Sequence, residues 1–381
     1  MKQINWLKTI IMAGMLYPGM AAVAENVQET ELQHECTSWM VFSDLTKNNT
    51  NILHKNRDAL ATEIGVYLSE KDSPRKWIAL GTAGNTNMGM NTSGLAGVMN
   101  SGEVCINHST DNTKPGTTKM LRRILENCDT AAQAVETLKE QLAAGNYWHK
   151  NSGSIFFFLD TKEGYVCEIT AKDITTQKLT SGFAVRANIW MNPGMQYFSR
   201  NTVSNYLNSA ARMYIAYTGL NNMLTTKGKI SLPDIFALSR HYKMPKESSE
   251  KRSVCFKHTN STSSLEIDLQ YPDVLSTAYV TIGHPRHTVY VPVPVCVEQV
   301  LPGMSDGSWS AASWKRFKEL SLAAPIPEEW AKFEADFMAT YKKAQEDACA
   351  LLKQGKRTEA VKLLNDTASA IWKNAETLLG L

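Results

Sequence analysis

The sequence predicts an α+β layered fold. Three observations carry that expectation. β-rich, largely apolar runs fill much of the first half of the chain, with one strongly helical block between them. Strand signals return over residues 264–293 after a second helical stretch, and a long helical tail free of proline follows residue 327. Hairpins, helices and further strands in that order point to layers of antiparallel sheet and helix, not to an alternating parallel sheet. With 381 residues, 43% apolar and 9% aromatic, the chain can build one large domain or two ordinary ones around a sizeable core.

The elements read as follows. Lys2 and Lys8 flank a short apolar segment, and Ala22-Val23-Ala24 supplies a small-x-small cleavage pattern, so residues 1–24 read as a signal peptide. The segment is interrupted by Lys8, Gly14, Pro18 and Gly19 and is too short to span a bilayer comfortably, so no stable membrane insertion is expected after its removal. Residues 25–35 are polar, lack a strand pattern and read as a propeptide. "TSWMVFS" (37–43) and "ILHKN" (52–56), joined by the turn cluster "DLTKNNTN", predict a hairpin. Further strands are expected at "KWIALGT", "MNTSGLAGVMNSG", "SGSIFFFLD", "YVCEIT" and "FAVRANIW". A helical block spans about 117–144, with Asp129 or Thr130 capping its second half and Gly145 ending it. Helices are expected over 201–218 and over 232–242, the latter opened by Ser231 with Pro233 in its first turn. Strands follow at 264–270, 275–283 and 287–293. The tail predicts a helical hairpin, split at Gly355 and restarted near Thr358, with Trp330, Phe333, Phe337 and Tyr341 packed on the main domain. The expected domains are a catalytic unit over 36–310 and a C-terminal helical extension over 311–381.

A net charge of +3 without long charge runs gives no electrostatic footprint for nucleic acid. Seven cysteines in a secreted chain leave at least one outside an intrachain disulfide, and up to three bridges stay open. His284 and His287 have a metal-like gap, but no carboxylate or thiol stands at ligand spacing. Gly81, Gly84 and Gly89 form no phosphate-binding fingerprint. No metal or other cofactor is expected.

Cys36 is the cysteine whose surroundings suggest reactivity. A free thiol, with a pKa of about 8.5, holds little thiolate at neutral pH and needs a base or nearby cations. If Cys36 becomes the first residue of the mature chain, its own α-amine, with a pKa of about 7.7–8.0, can take the thiol proton and later protonate a leaving amine. A hairpin that starts at Cys36 and returns at Lys55-Asn56-Arg57-Asp58 brings two cations and a carboxylate beside that nucleophile. Alternation puts Lys55 and Arg57 on one face and Asn56 and Asp58 on the other.

Cys36, its spacing to "KNRD", and the later "MNTSGLAGVMNSG" resemble the N-terminal-nucleophile hydrolases of the choloylglycine hydrolase, penicillin V acylase and isopenicillin N acyltransferase type. The resemblance runs through most of 36–300. It implies a four-layer αββα sandwich that cleaves linear amide C–N bonds. Cys36 matches the nucleophile and Asp58 the carboxylate ending the "RNxD" motif. Lys55 stands where many members have arginine, so the cationic, thiolate-stabilising role falls to Lys55 or Arg57. Asn91 opens the strand matching "MNExGL", and Asn100 falls where the family offers an oxyanion or substrate contact. Asn188 matches the asparagine that completes the oxyanion hole, and Arg212 matches a later "SxxR" arginine, with Arg200 as competitor.

The expected protein is thus a secreted or periplasmic, self-processing cysteine amidohydrolase acting on a small-molecule amide, with acyl transfer open to the same machinery. Two other readings stay open: a dipeptidase or thiol peptidase using a histidine such as His258, and an envelope binding protein that keeps the fold without the activity. Oligomeric state is left open, a homo-oligomer included.

Overall fold

The computed structural model describes residues 35–60, 62–82, 85–242 and 253–381. The expected signal peptide, and the expected propeptide except Glu35, lie outside the described residues. Two antiparallel sheets organise the rest. Strands β1 (Cys36–Val41), β2 (Asn51–Asp58), β3 (Gly65–Leu68), β4 (Trp77–Thr82), β5 (Asn85–Asn91), β6 (Ala96–Val104), β7 (Ser152–Leu159), β8 (Gly164–Ile169), β9 (Ile174–Leu179), β10 (Phe183–Arg186), β11 (Thr259–Ile267), β12 (Thr277–Ile282) and β13 (Val291–Pro294) follow in chain order. One sheet runs β10-β1-β2-β11-β12-β13 and the other runs β3 to β9 in sequence.

The seven-stranded sheet is buried on both faces. Strand β7 shows how its sequence achieves this: Ile155, Phe157 and Leu159 enter one core cluster, while Phe156 and Phe158 enter another. The inward face meets the six-stranded sheet, with Val66, Leu80 and Met88 opposite Leu265, Val280 and Val293. The outward face packs on α1 (Thr117–Asn127) and α2 (Ala131–Ala143) through Met120, Leu121, Ile124, Leu125 and Leu138. Thr130 caps α2 by accepting from the Gln133 N–H, as its sequence position predicts.

The outer face of the six-stranded sheet is covered by α3 (Val203–Lys227), α4 (Leu232–Ser239), α6 (Glu328–Lys353) and α7 (Arg357–Leu379), with α5 (Ser308–Glu319) beside them. Phe236 of α4 stacks on Tyr290 at 3.8 Å, Tyr341 of α6 meets Thr277, and Trp372 of α7 donates to the Pro292 carbonyl at 2.7 Å. The layers are therefore αββα. Helix α4 carries the capping box that Ser231 announces, closed by Asp234. In the tail, Trp330, Phe337 and Tyr341 are buried and Phe333 is half-buried. Gly355 adopts φ +77° at the turn between α6 and α7, a conformation that favours glycine.

Several boundaries differ from expectation. Helix α3 runs on to Lys227, where a left-handed Gly228 ends it, so its polar face hid the last turns from the pattern. Strand β11 starts at Thr259 and not at 264, because its first residues are polar yet buried. Strands β3 and β9 are additional to the expected elements, and helix α5 falls largely within the expected helical extension over 311–381. All seven cysteines are free thiols. No helix among the described residues is long and apolar enough to cross a membrane.

Candidate active site

The register of one hairpin builds the centre of the site. Strands β1 and β2 pair antiparallel with Cys36 opposite Arg57 and Ser38 opposite Lys55. Cross-strand partners share a face, so Cys36, Ser38, Lys55 and Arg57 point the same way, toward the second sheet. Both cations therefore serve the thiol side, and the choice between them dissolves. Lys55 lies close enough to the Cys36 thiol for the two to interact electrostatically. Its ammonium donates to the Met99 carbonyl and to Asn100 Oδ1 at 3.2 Å. Arg57 Nη1 donates to Asn260 Oδ1 at 3.3 Å. Burial lowers the pKa of both cations, and an anion at Cys36 opposes that shift in each. Charge on the sulfur and charge on the two cations thus favour one another.

The other face of β1 and β2 meets α3. Arg212, fully buried, reaches from that helix to the main chain of the hairpin. Its Nη1 donates to the Cys36 carbonyl at 2.6 Å and to Thr37 Oγ1 at 3.1 Å. Its Nη2 donates to Asn188 Oδ1 at 2.9 Å. Asn188 lies just beyond β10, which pairs with β1, and Oδ1 also accepts the Cys36 N–H at 2.8 Å. Asn188 Nδ2 donates to the Ser101 carbonyl at 2.8 Å. In the continuous chain Asn188 therefore orients the Cys36 nitrogen and ties β1 to β6.

Asp58 lies on the Arg212 side. Its Oδ1 accepts from Thr259 at 2.6 Å, and its Oδ2 is 4.0 Å from Arg212 Nη1. Burial pushes the Asp58 carboxyl up to about 8; Arg212, Thr259 and Lys55 oppose the rise and Glu35 adds to it. This fixes the sign of a pH effect. The unfolded chain loses this proton near 3.8, whereas the folded chain keeps it to about 8. Across that window the unfolded state binds fewer protons, so stability falls as pH rises. In a chain kept continuous by Cys36→Ala, urea unfolding at pH 5 and pH 8 should differ by on the order of a few kcal/mol from this group, with pH 5 the more stable. Adding Asp58→Asn should flatten that difference.

Asn100 Oδ1 accepts from Ser38 Oγ at 2.8 Å as well as from Lys55, and Asn100 Nδ2 donates to the Ala187 carbonyl at 3.1 Å. The structure thus brings together Cys36, Lys55, Arg57, Asp58, Asn100, Asn188 and Arg212. Asn91 is the exception and is corrected here: it is not part of this constellation. Its Nδ2 donates to the Leu125 and Cys128 carbonyls, and its Oδ1 accepts from the Ser93 and Leu95 N–H groups. It fastens the β5–β6 turn to the end of α1. Arg200, the competitor of Arg212, is exposed and bonds the neighbouring Ser199 carbonyl.

No histidine stands among the groups just described around Cys36. His54 faces away, stacked on Trp39 at 4.1 Å and bonded to Ser264 and Asn56, and burial lowers its pKa to about 3. The sequence reading missed Ser38, Thr37, Thr259, Asn260 and the side chain of Glu35. The polar run "TNSTSS" inside a strand was the available signal, since buried polar side chains need assigned partners.

The model of the family described as acyl-coenzyme A:6-aminopenicillanic acid acyl-transferase matches residues 45–234. That span holds Lys55, Arg57, Asp58, Asn100, Asn188 and Arg212, while Cys36 lies upstream of it. Among solved structures, a mutant conjugated bile acid hydrolase from Clostridium perfringens is 15% identical, with 68% of this chain and 92% of that one covered and a TM-score of 0.46. Penicillin V acylase from Agrobacterium tumefaciens is 13% identical, with 68% and 86% covered and a TM-score of 0.46. The N-acylethanolamine-hydrolyzing acid amidase ortholog from Caenorhabditis elegans is 16% identical, with 63% and 94% covered and a TM-score of 0.40. No curated protein sequence matches the chain. Over residues 45–234, a span that carries six of the seven residues from Cys36 to Arg212 that the structure brings together, this chain is similar to the acyl-coenzyme A:6-aminopenicillanic acid acyl-transferase family.

Proposed function

We propose that this protein is a secreted or periplasmic cysteine amidohydrolase that frees Cys36 by cutting its own chain before that residue. The observation that carries this reading is the position of Cys36: its thiol lies against Lys55, and its main chain is gripped by Asn188 and Arg212. Such preorganisation suits a nucleophile and is more than a buried structural thiol requires. The freed α-amine takes the proton from Sγ, and the sulfur attacks the amide carbonyl of the substrate. Asn188 and the main chain at Asn100 are the oxyanion donors in this scheme; for Asn188 this requires its amide to be re-aimed once the Cys36 nitrogen is a free amine. The amine passes its proton to the leaving nitrogen, the C–N bond breaks, and a thioester on Cys36 remains. Water then releases the acid and restores the thiol. An amine in place of water gives acyl transfer by the same steps.

The test is intact-mass measurement of the protein recovered from the cell envelope or medium, paired with turnover of penicillin V, a conjugated bile acid and an N-acylethanolamine. A mature chain starting at Cys36 that hydrolyses at least one of these amides supports the reading. Amide turnover by protein that still carries residues 25–35 overturns it.

A further inference from the structure

The upstream side of the Glu35–Cys36 bond is built into the site as firmly as the downstream side. The Glu35 carbonyl accepts the main-chain N–H of Asp58 at 2.9 Å. Glu35 Oε2 lies 3.7 Å from Arg212 Nη2, with the Glu35 side chain only 14% exposed. That oxygen is buried and has no hydrogen-bond partner among the described residues, so Arg212 is the cation it faces. The same guanidinium holds the Cys36 carbonyl and Asn188 Oδ1, and Asn188 Oδ1 holds the Cys36 N–H. Both carbonyls flanking residue 36, and the amide between them, are thereby clamped by Asp58, Arg212 and Asn188.

Arg212 faces two carboxylates, Glu35 and Asp58. Burial pushes Asp58 toward its neutral form, and the Glu35 carboxyl oxygen stands nearer the guanidinium, at 3.7 Å against 4.0 Å for Asp58. We propose that Glu35 is a positioning residue for self-cleavage: its carboxylate docks on Arg212 and so seats its own carbonyl on the Asp58 N–H for attack by Cys36. This rests on the self-processing reading above. Negative charge develops on the Glu35 oxygen as Sγ adds to its carbon, and the Asp58 N–H already points at that oxygen. The Glu35–Cys36 C–N bond then breaks, and the thiol proton ends on the Cys36 nitrogen, which becomes the α-amine. Water hydrolyses the Glu35 thioester, giving a Glu35 carboxylate on the departing peptide and a free Cys36 thiol. Departure removes one anion and creates one cation beside Asp58. Both changes favour ionised Asp58, so Arg212 passes from Glu35 to Asp58 as its counter-charge.

The test follows cleavage of the full chain over time by intact mass after cell-free synthesis, for wild type and for Glu35→Asp, Glu35→Gln, Glu35→Ala and Glu35→Lys. Loss of the carboxylate in the Gln and Ala chains should slow cleavage about tenfold, equivalent to about 1.4 kcal/mol in the barrier. Lysine, which opposes Arg212, should slow it further, and aspartate should retain more of the rate than alanine. Because Glu35 departs, every variant that does cleave yields the same mature chain, and its Cys36 should react with iodoacetamide at the wild-type rate. Wild-type rates in all four variants overturn the proposal while leaving self-processing intact. A wild-type chain that never yields a Cys36 terminus overturns both.

Discussion

A chain carrying Cys36→Ala is expected to keep the residues before position 36 and to lose amide turnover by at least about 10,000-fold. In the proposed scheme the Cys36 sulfur is the atom that carries the acyl group. Lys55 and Arg57 can stabilise an anion there but cannot replace it. The same substitution should leave the fold nearly intact, since it removes a single atom at the start of β1, a loss of about 1 kcal/mol. Intact mass, amide turnover and a thermal melt on one preparation separate these effects. Unchanged turnover in the alanine variant would refute thioester chemistry at this residue.

Arg212→Ala should carry the second large effect, and it should fall on stability and processing together. The guanidinium is wholly buried and bonds Cys36, Thr37, Ser209 and Asn188 while facing Asp58 and Glu35. Removing it strands buried acceptors and acidic groups, a change that typically costs about 3–5 kcal/mol. Urea unfolding reads that loss, and the rate of appearance of the Cys36-terminated chain should fall at least about 100-fold. Arg212→Lys is the informative companion. It keeps the charge but has no planar fork to hold the Cys36 carbonyl and Asn188 Oδ1 at once. Stability should recover more than processing does. Equal recovery of both would reduce Arg212 to a structural cation.

The contrast between Arg212 and Arg200 shows how far the sequence could be read. Arg200 lies just before a helix and Arg212 within it, and neither polar stretch announces which arginine is buried. The packing of α3 against β1 turns Arg212 inward, while Arg200, in the segment before α3, stays exposed. Asn91 shows the same limit from the other side. It matched a motif, yet the fold uses its amide to fasten a turn to α1. Asn188 reaches Cys36 only because β10 pairs with β1, a contact across 152 positions. Local pattern carries no information about such a register.

The hairpin, by contrast, was legible. Alternation along β2 placed Lys55 and Arg57 on one face and Asp58 on the other, and the turn cluster after Ser43 announced the return of the chain. Ser231 and Thr130 announced their helices for the same reason: a cap is satisfied within a few residues. What the sequence determined alone is therefore most of the elements, the hairpin that opens at Cys36 and its two-faced pattern, because these follow from periodicities and bonds over short chain distances. Tertiary structure decided which arginine enters, which asparagine orients the Cys36 nitrogen, and that Glu35 and Asp58 face one buried guanidinium. Those outcomes depend on how sheets and helices pack, where side chains far apart in the chain meet in a low-dielectric interior and must satisfy one another.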